Sequence, residues 1–220
     1  MIFSLILVHE LGHLFTSLLY KWNLSSITIY PFGGCIKFDD RINRPIKEEL
    51  LILLSGPLFQ IMFFFFLCFL STKGFITYRN ISLIKSYNYT LLIFNLLPIY
   101  PLDGGRILNL VLNYFFPYKK SNKFVIIVSI LMIFLSIYFY KNINFILMGI
   151  LLLSEVLVYL KRQDYLYNRL LLERYINPCF YKRFKIIKSK DLVYKDKRHT
   201  ILYKGKYITE KDYLNKRFGD

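Results

Sequence analysis

The sequence predicts an all-α polytopic membrane protein with about five transmembrane helices, a short β-hairpin or re-entrant segment, and a small cytoplasmic C-terminal tail. Three observations carry this fold class. Of the 220 residues, 55% are hydrophobic and 19% aromatic, more apolar surface than one soluble domain of this length can bury. Much of that surface is concentrated in runs long enough to cross a bilayer. The formal net charge of +16 is concentrated as well: residues 161–220 hold 17 Lys and Arg against 7 Asp and Glu, and residues 1–160 hold 13 against 7. The expected organisation is a membrane core over residues 1–160 followed by a basic segment over 161–220.

The first apolar run, residues 1 to about 20, is long enough for a span yet contains His9-Glu10-Leu11-Gly12-His13. After it, Leu24 to Phe38 has short β-branched and aromatic runs around Gly33-Gly34, the signature of a hairpin or a re-entrant segment near the interface. Further helices are expected at about 48–70, 87–116, 123–140 and 144–160. The third is long enough to hold a break, and Pro98 and Pro101 supply one, because proline removes a backbone donor and crowds the preceding turn. Lys21, Lys37, Arg41, Arg44, Lys47, Lys119 and Lys120 fall in connections on one side, together with the tail, against Lys73, Arg79, Lys85 and Lys141 on the other. The positive-inside rule makes the richer side cytoplasmic. That orientation puts Met1 outside, and a preceding helix is expected to be missing from the chain. Beyond Leu160 the sequence turns charged and tyrosine-rich. Strands are expected at Phe184–Ile187 and across Thr200–Ile208 with a turn at Lys204-Gly205, then a helix capped by Thr209, making a small α/β appendage.

Several function classes are excluded early. A basic tail directly after an apolar helix is first an anchor on anionic lipid, and no nucleic-acid-binding motif accompanies it, so the bilayer is a partner and nucleic acid is not. Cys35, Cys68 and Cys179 are odd in number and widely spaced, which gives neither a disulfide framework nor a thiolate metal site. No glycine-rich phosphate loop and no Ser or Cys nucleophile constellation is present. Glu155, within the last span, lies near Lys161 and Arg162 and is expected to be structural.

The chemistry concentrates in two places. On a helix, His9 and His13 lie one turn apart on one face, where both can ligate one Zn2+, and Glu10 projects beside them to take a proton from water. With three His and six Glu in the chain, such a pattern arises by chance in roughly one sequence in a thousand. The alternative is a buried imidazole pair satisfied by its neighbours. A catalytic zinc takes a third protein ligand, and His199 lies far off in the tail. Asp103, in Asn95-Leu-Leu-Pro-Ile-Tyr-Pro-Leu-Asp103-Gly-Gly-Arg, is the sole acid between Glu49 and Glu155 and is a functional candidate by its apolar setting. Its rival role is as counter-ion to Arg106 in a structural turn.

Together the HELGH helix, Pro31-Phe32-Gly33-Gly34, Ser55-Gly56-Pro57 and NLLPIYPLDGGR, in this order, resemble the site-2 protease family of intramembrane zinc metalloproteases over residues 1 to about 160. The resemblance implies one zinc per chain held by His9, His13 and Asp103, Glu10 as general base, and Asn95 helping to orient substrate. Within the family the likeness is strongest to the sporulation branch. The implied partner is therefore a membrane-tethered protein precursor, a pro-sigma factor (sigma factor K), with inhibitory or scaffolding membrane proteins beside it. The other outcomes are an anti-sigma factor or remnant signal peptide as substrate, or a non-catalytic membrane binding protein. Family members carry a further helix before HELGH and a larger nucleotide-sensing module at the C-terminus, for which about sixty residues are too few.

Overall fold

The computed structural model describes residues 2–22, 24–30, 33–38, 42–177, 181, 183–188, 192–203 and 206–219. The chain divides into two compact units, Met1–Asp40 with Lys47–Leu97, and Arg41–Ile46 with Pro98–Asp220.

In the first unit, α1 (Ile2–Leu19) leads into an antiparallel pair, β1 (Leu24–Tyr30) and β2 (Gly33–Phe38). The expected hairpin forms, in the register Ile27 opposite Ile36 and Tyr30 opposite Gly33; Pro31 and Phe32 lie outside the described residues. Two helices complete the unit, α2 (Ile46–Thr72), all but its first residue, and α3 (Tyr78–Asn95). The long span expected over 87–116 is in fact two helices, α3 and α4 (Asp103–Phe115), with Pro98 and Pro101 in the interval. The break falls where proline was expected to place it.

In the second unit α4 is followed by α5 (Tyr118–Tyr140) and α6 (Ile143–Lys161). Asn142 caps α6 by accepting from the Asn144 amide, as a short amide side chain does at a helix start. Next comes α7 (Gln163–Ile176), which the charged, tyrosine-rich sequence did not announce. A three-stranded sheet follows: β3 (Phe184–Ile187) runs parallel to β4 (Arg198–Tyr203), which pairs antiparallel with β5 (Lys206–Thr209). The expected turn at Lys204-Gly205 lies outside the described residues. Thr209 Oγ1 accepts from the Asp212 amide at 3.2 Å and starts α8 (Glu210–Phe218), as its capping pattern predicts. Tyr167, Leu170, Leu171, Ile187, Ile201 and Leu214 form the core of this appendage, which also takes in Tyr118 at the start of α5.

Among the described residues, four helices, α1, α2, α5 and α6, are long and apolar enough to cross a membrane. Their outward faces carry large apolar side chains, such as Phe3 and Phe15 on α1, Phe65 and Phe69 on α2, and Phe134 on α5. Contiguous apolar exposure of this kind is costly in water and natural in lipid. The eighteen residues of α3 are more polar, with Arg79, Asn80, Lys85 and Asn88 among them. Glu155 is exposed on α6 and Cys68 is a free thiol; Cys179 and the side chain of Cys35 lie outside what the structure describes.

Candidate metal centre

Helix α1 buries Leu5, His9, Gly12, His13 and Ser17, one stripe at helical spacing. His9 and His13 are 2% and 8% exposed, so two imidazoles have been taken out of solvent and need partners. Each finds one through Nδ1. His13 Nδ1 lies 2.8 Å from the Ile52 carbonyl. That oxygen can only accept, so Nδ1 carries the proton. His9 Nδ1 lies 2.9 Å from Gln60 Oε1. The Gln60 amide nitrogen is spent on the Asn88 carbonyl and Asn88 Oδ1, both at 3.0 Å, so its oxygen faces His9 and Nδ1 again carries the proton. Each ring then keeps the acceptor lone pair on Nε2.

Those two Nε2 atoms face each other at 3.2 Å, with the rings at 81°. Two lone pairs at that distance repel unless a cation lies against both, either a proton or a metal ion. Zinc–nitrogen bonds of about 2.0–2.1 Å at the tetrahedral angle separate the two nitrogens by about 3.3 Å. The pair therefore fits one zinc without rearrangement. Asn95, half-buried at the end of α3, brings its amide nitrogen to 3.3 Å from His9 Nε2. Glu10 is half-buried and one step around the helix from His9.

The approach of α2 to this pair depends on Gly56. A Cβ there would lie 2.3 Å from His13 Nε2, an impossible contact. Beside it, the Ser55 hydroxyl shares its one hydrogen between the Ile52 carbonyl of its own helix at 2.6 Å and the Gly12 carbonyl of α1 at 2.9 Å. The Ser55-Gly56-Pro57 motif thus makes room for the imidazole and ties α2 to α1.

In the second unit, Asp103 is the first residue of α4 and half-buried, where the positive end of the helix dipole favours a carboxylate. The turn before it is firmly held. The Tyr100 amide donates to Ser129 Oγ at 2.9 Å, the Tyr100 ring stacks on Tyr159 at 3.9 Å and 15°, and the Leu102 amide donates to the Ile99 carbonyl at 2.8 Å. Gly105 permits this fold-back, since a Cβ there would lie 2.5 Å from the Ile99 carbonyl carbon. By donor chemistry, the imidazoles of the first unit and a carboxylate such as Asp103 are borderline-to-hard N and O ligands of the kind that suits zinc.

His199 belongs elsewhere, as expected. It is buried in the appendage, where Nε2 accepts from the Tyr194 amide at 3.0 Å and Nδ1 meets Glu210 at 3.1 Å. Sequence reasoning missed Gln60 and Asn88, which are 0% and 2% exposed; the available signal was Gln60, an amide within the apolar helix α2, where polar groups are costly.

The model of peptidase family M50 matches residues 1–81 and 72–139, well over half of the sequence. The chain belongs to peptidase family M50. Membership bears out the resemblance to site-2 proteases drawn from the four ordered motifs. This M50 chain is 30% identical to stage IV sporulation protein FB of Bacillus subtilis over 78% of its own length and 61% of the relative's. It is 32% identical to a zinc metalloprotease of Methanocaldococcus jannaschii over 56% of its own length and 36% of the relative's. It thus spans less than two thirds of either curated relative. A solved site-2 protease from Methanocaldococcus jannaschii matches with a TM-score of 0.58 at 28% identity, over 70% of this chain and 73% of that one.

Proposed function

We propose that this chain is an intramembrane zinc metalloprotease of the site-2 type that cleaves a membrane-tethered protein precursor. The observation that carries the proposal is the pair of imidazoles pinned through Nδ1 with Nε2 atoms 3.2 Å apart, beside a glutamate on the same helix. His9 and His13 would hold the metal with Asp103, one zinc per chain. When bound, zinc supplies the Lewis acidity that makes water nucleophilic near neutral pH and polarises a peptide carbonyl. Glu10 takes the proton from the attacking water and returns it to the leaving amine. The Asn95 amide, next to His9, orients the scissile peptide.

A helical substrate hides its carbonyls in hydrogen bonds and must unwind before it can react. Among the described residues β2 pairs with β1 alone, so an unwound substrate can extend the pair by strand addition. The core ends near Leu160 after about five spans, and the basic segment from Lys161 faces the cytoplasm on anionic lipid. Support for that side comes from within the second unit. The appendage bonds to the connection before α2, where the Asn43 amide donates to Glu173 at 3.0 Å, and to the start of α5, where the Tyr118 amide donates to Val193 at 2.9 Å. These are the lysine- and arginine-bearing connections grouped with the tail by charge.

The substrate we propose is a sigma-factor precursor of the sigma K type, on the strength of the likeness to a sporulation protein. Co-expression with a pro-sigma factor K in a non-sporulating host tests it, with the Glu10→Gln chain as blank. The expected result is shortening of the precursor by the unchanged chain alone. No shortening moves the assignment to an anti-sigma factor or a remnant signal peptide.

A further inference from the structure

We propose that Gln60, backed by Asn88, is a positioning residue for His9, fixing the tautomer and ring orientation through which that imidazole meets the metal. The proposal rests on the zinc reading of His9 and His13 given above. Its own ground is the hydrogen-bond chain Asn88–Gln60–His9, which links α3, α2 and α1 within one unit. Every polarity in that chain is determined. The Asn88 backbone carbonyl can only accept, so the Gln60 NH2 points to it at 3.0 Å. The second Gln60 hydrogen goes to Asn88 Oδ1, also at 3.0 Å. Only the Gln60 oxygen is left for His9, and it takes the Nδ1 proton at 2.9 Å. His9 therefore keeps its lone pair on Nε2, the atom turned toward His13.

The cost of this arrangement argues for a role. A glutamine amide at 0% exposure, in a helix apolar enough to span a membrane, gains nothing over leucine in packing and must find three partners to offset its desolvation. The two histidines are also treated differently. His13 is oriented by a backbone carbonyl, which no substitution can remove, whereas His9 is oriented by a side chain. Partners behind a metal-bound imidazole commonly govern metal affinity by about 10- to 100-fold. Gln60 is thus the point at which a side chain of this chain sets how tightly the site holds its metal.

The test uses the full chain in detergent micelles, with zinc affinity measured by competition with a chromophoric chelator and geometry followed by the visible spectrum of the cobalt-loaded protein. His9→Ala comes first. It should abolish binding, and if it binds zinc as the unchanged chain does, the zinc reading itself falls and the proposal with it. With that control met, Gln60→Met, of similar size but with no acceptor, should weaken zinc binding by about 10- to 100-fold and alter the cobalt spectrum. Gln60→Glu, which restores an oxygen toward His9 but gives up the donors to Asn88, should recover part of the loss. Asn88→Ala acts through Gln60, so it should give a smaller loss and add nothing once Gln60 is replaced by Met. It also serves as the test should Gln60→Met fail to fold. An unchanged zinc affinity in a folded Gln60→Met chain, or an additive loss in the double variant, would overturn the proposal.

Discussion

Glu10 and the two histidines share one helix turn but separate into two jobs, binding and proton transfer, and a single-atom exchange distinguishes them. Glu10→Gln keeps the size and polarity of the side chain and removes its ability to take a proton. Zinc content should stay at the unchanged level while turnover of a membrane-tethered substrate falls by roughly 10²–10⁴-fold, the usual contribution of a general base. Metal analysis and a cleavage assay on the same preparation check both halves. Turnover near that of the unchanged chain would remove Glu10 from the chemistry. At this scale the sequence was most legible where function compresses into adjacent residues. His9, Glu10 and His13 are visible because a helix converts a four-residue spacing into one face. Gln60 and Asn88 lie far along the chain from His9, and no local pattern ties an isolated amide to a histidine on another helix.

Among the elements, the contact between α1 and α2 is set by a missing side chain. Gly56→Ala would place a methyl group 2.3 Å from His13 Nε2, and the imidazole cannot yield without losing its bond to the Ile52 carbonyl. Zinc affinity should fall roughly tenfold or more, comparable to removing a partner behind the ligand, while α1 and α2 stay helical by circular dichroism. A Gly56→Ala chain with unchanged affinity would show that α2 can retreat at no cost. The helices themselves were predicted wherever apolar runs were bounded by charge, as for α1, α2, α5 and α6. Across the run over 87–116 hydropathy is continuous, so the break between α3 and α4 was legible only through Pro98 and Pro101. Helix α7 escaped for the opposite reason. Its buried positions Tyr167, Leu170, Leu171 and Arg174 follow helical spacing, but one of them is arginine and the apolar Leu172 is exposed among polar neighbours, which blurs the apolar stripe.

At the scale of the molecule, the C-terminal appendage is organised around a buried charge. Arg174, 5% exposed, bonds to Glu210 at 2.7 Å, to the carbonyls of Tyr194, Lys195 and Lys197, and to Asn43 Oδ1. Through Asn43, and through Asp196, whose carboxylate accepts from the Ile46 amide at 3.1 Å, it fixes the connection that leads from β2 into α2. An arginine buried this deeply is tolerable only while its acid stays ionised. Burial alone would raise the Glu210 carboxyl, but the His199 hydrogen bond and the Arg174 charge outweigh it and bring the group down to about 2. Burial also holds His199 below its ordinary value, against the pull of Glu210.

Both shifts carry the same sign for stability. The unfolded chain takes up a proton on His199 below about pH 6.5 and on Glu210 below about pH 4.5, where the folded appendage resists both, so acid favours unfolding. Asp196 works the other way. Burial raises its carboxyl, so the folded state protonates it first and recovers part of the loss in the most acidic range. The expected profile is a stability that is level above about pH 7, declines from about 6.5, and steepens below about 4.5. Amide protection factors in β4 and α8, corrected for intrinsic exchange rates, measure it directly. Glu210→Gln should lower protection near neutral pH and flatten the most acidic limb. Protection that stays constant from about pH 7 to about pH 4 in the unchanged chain would mean that the Arg174 network is not what holds the appendage, and with it the connection into α2, in place.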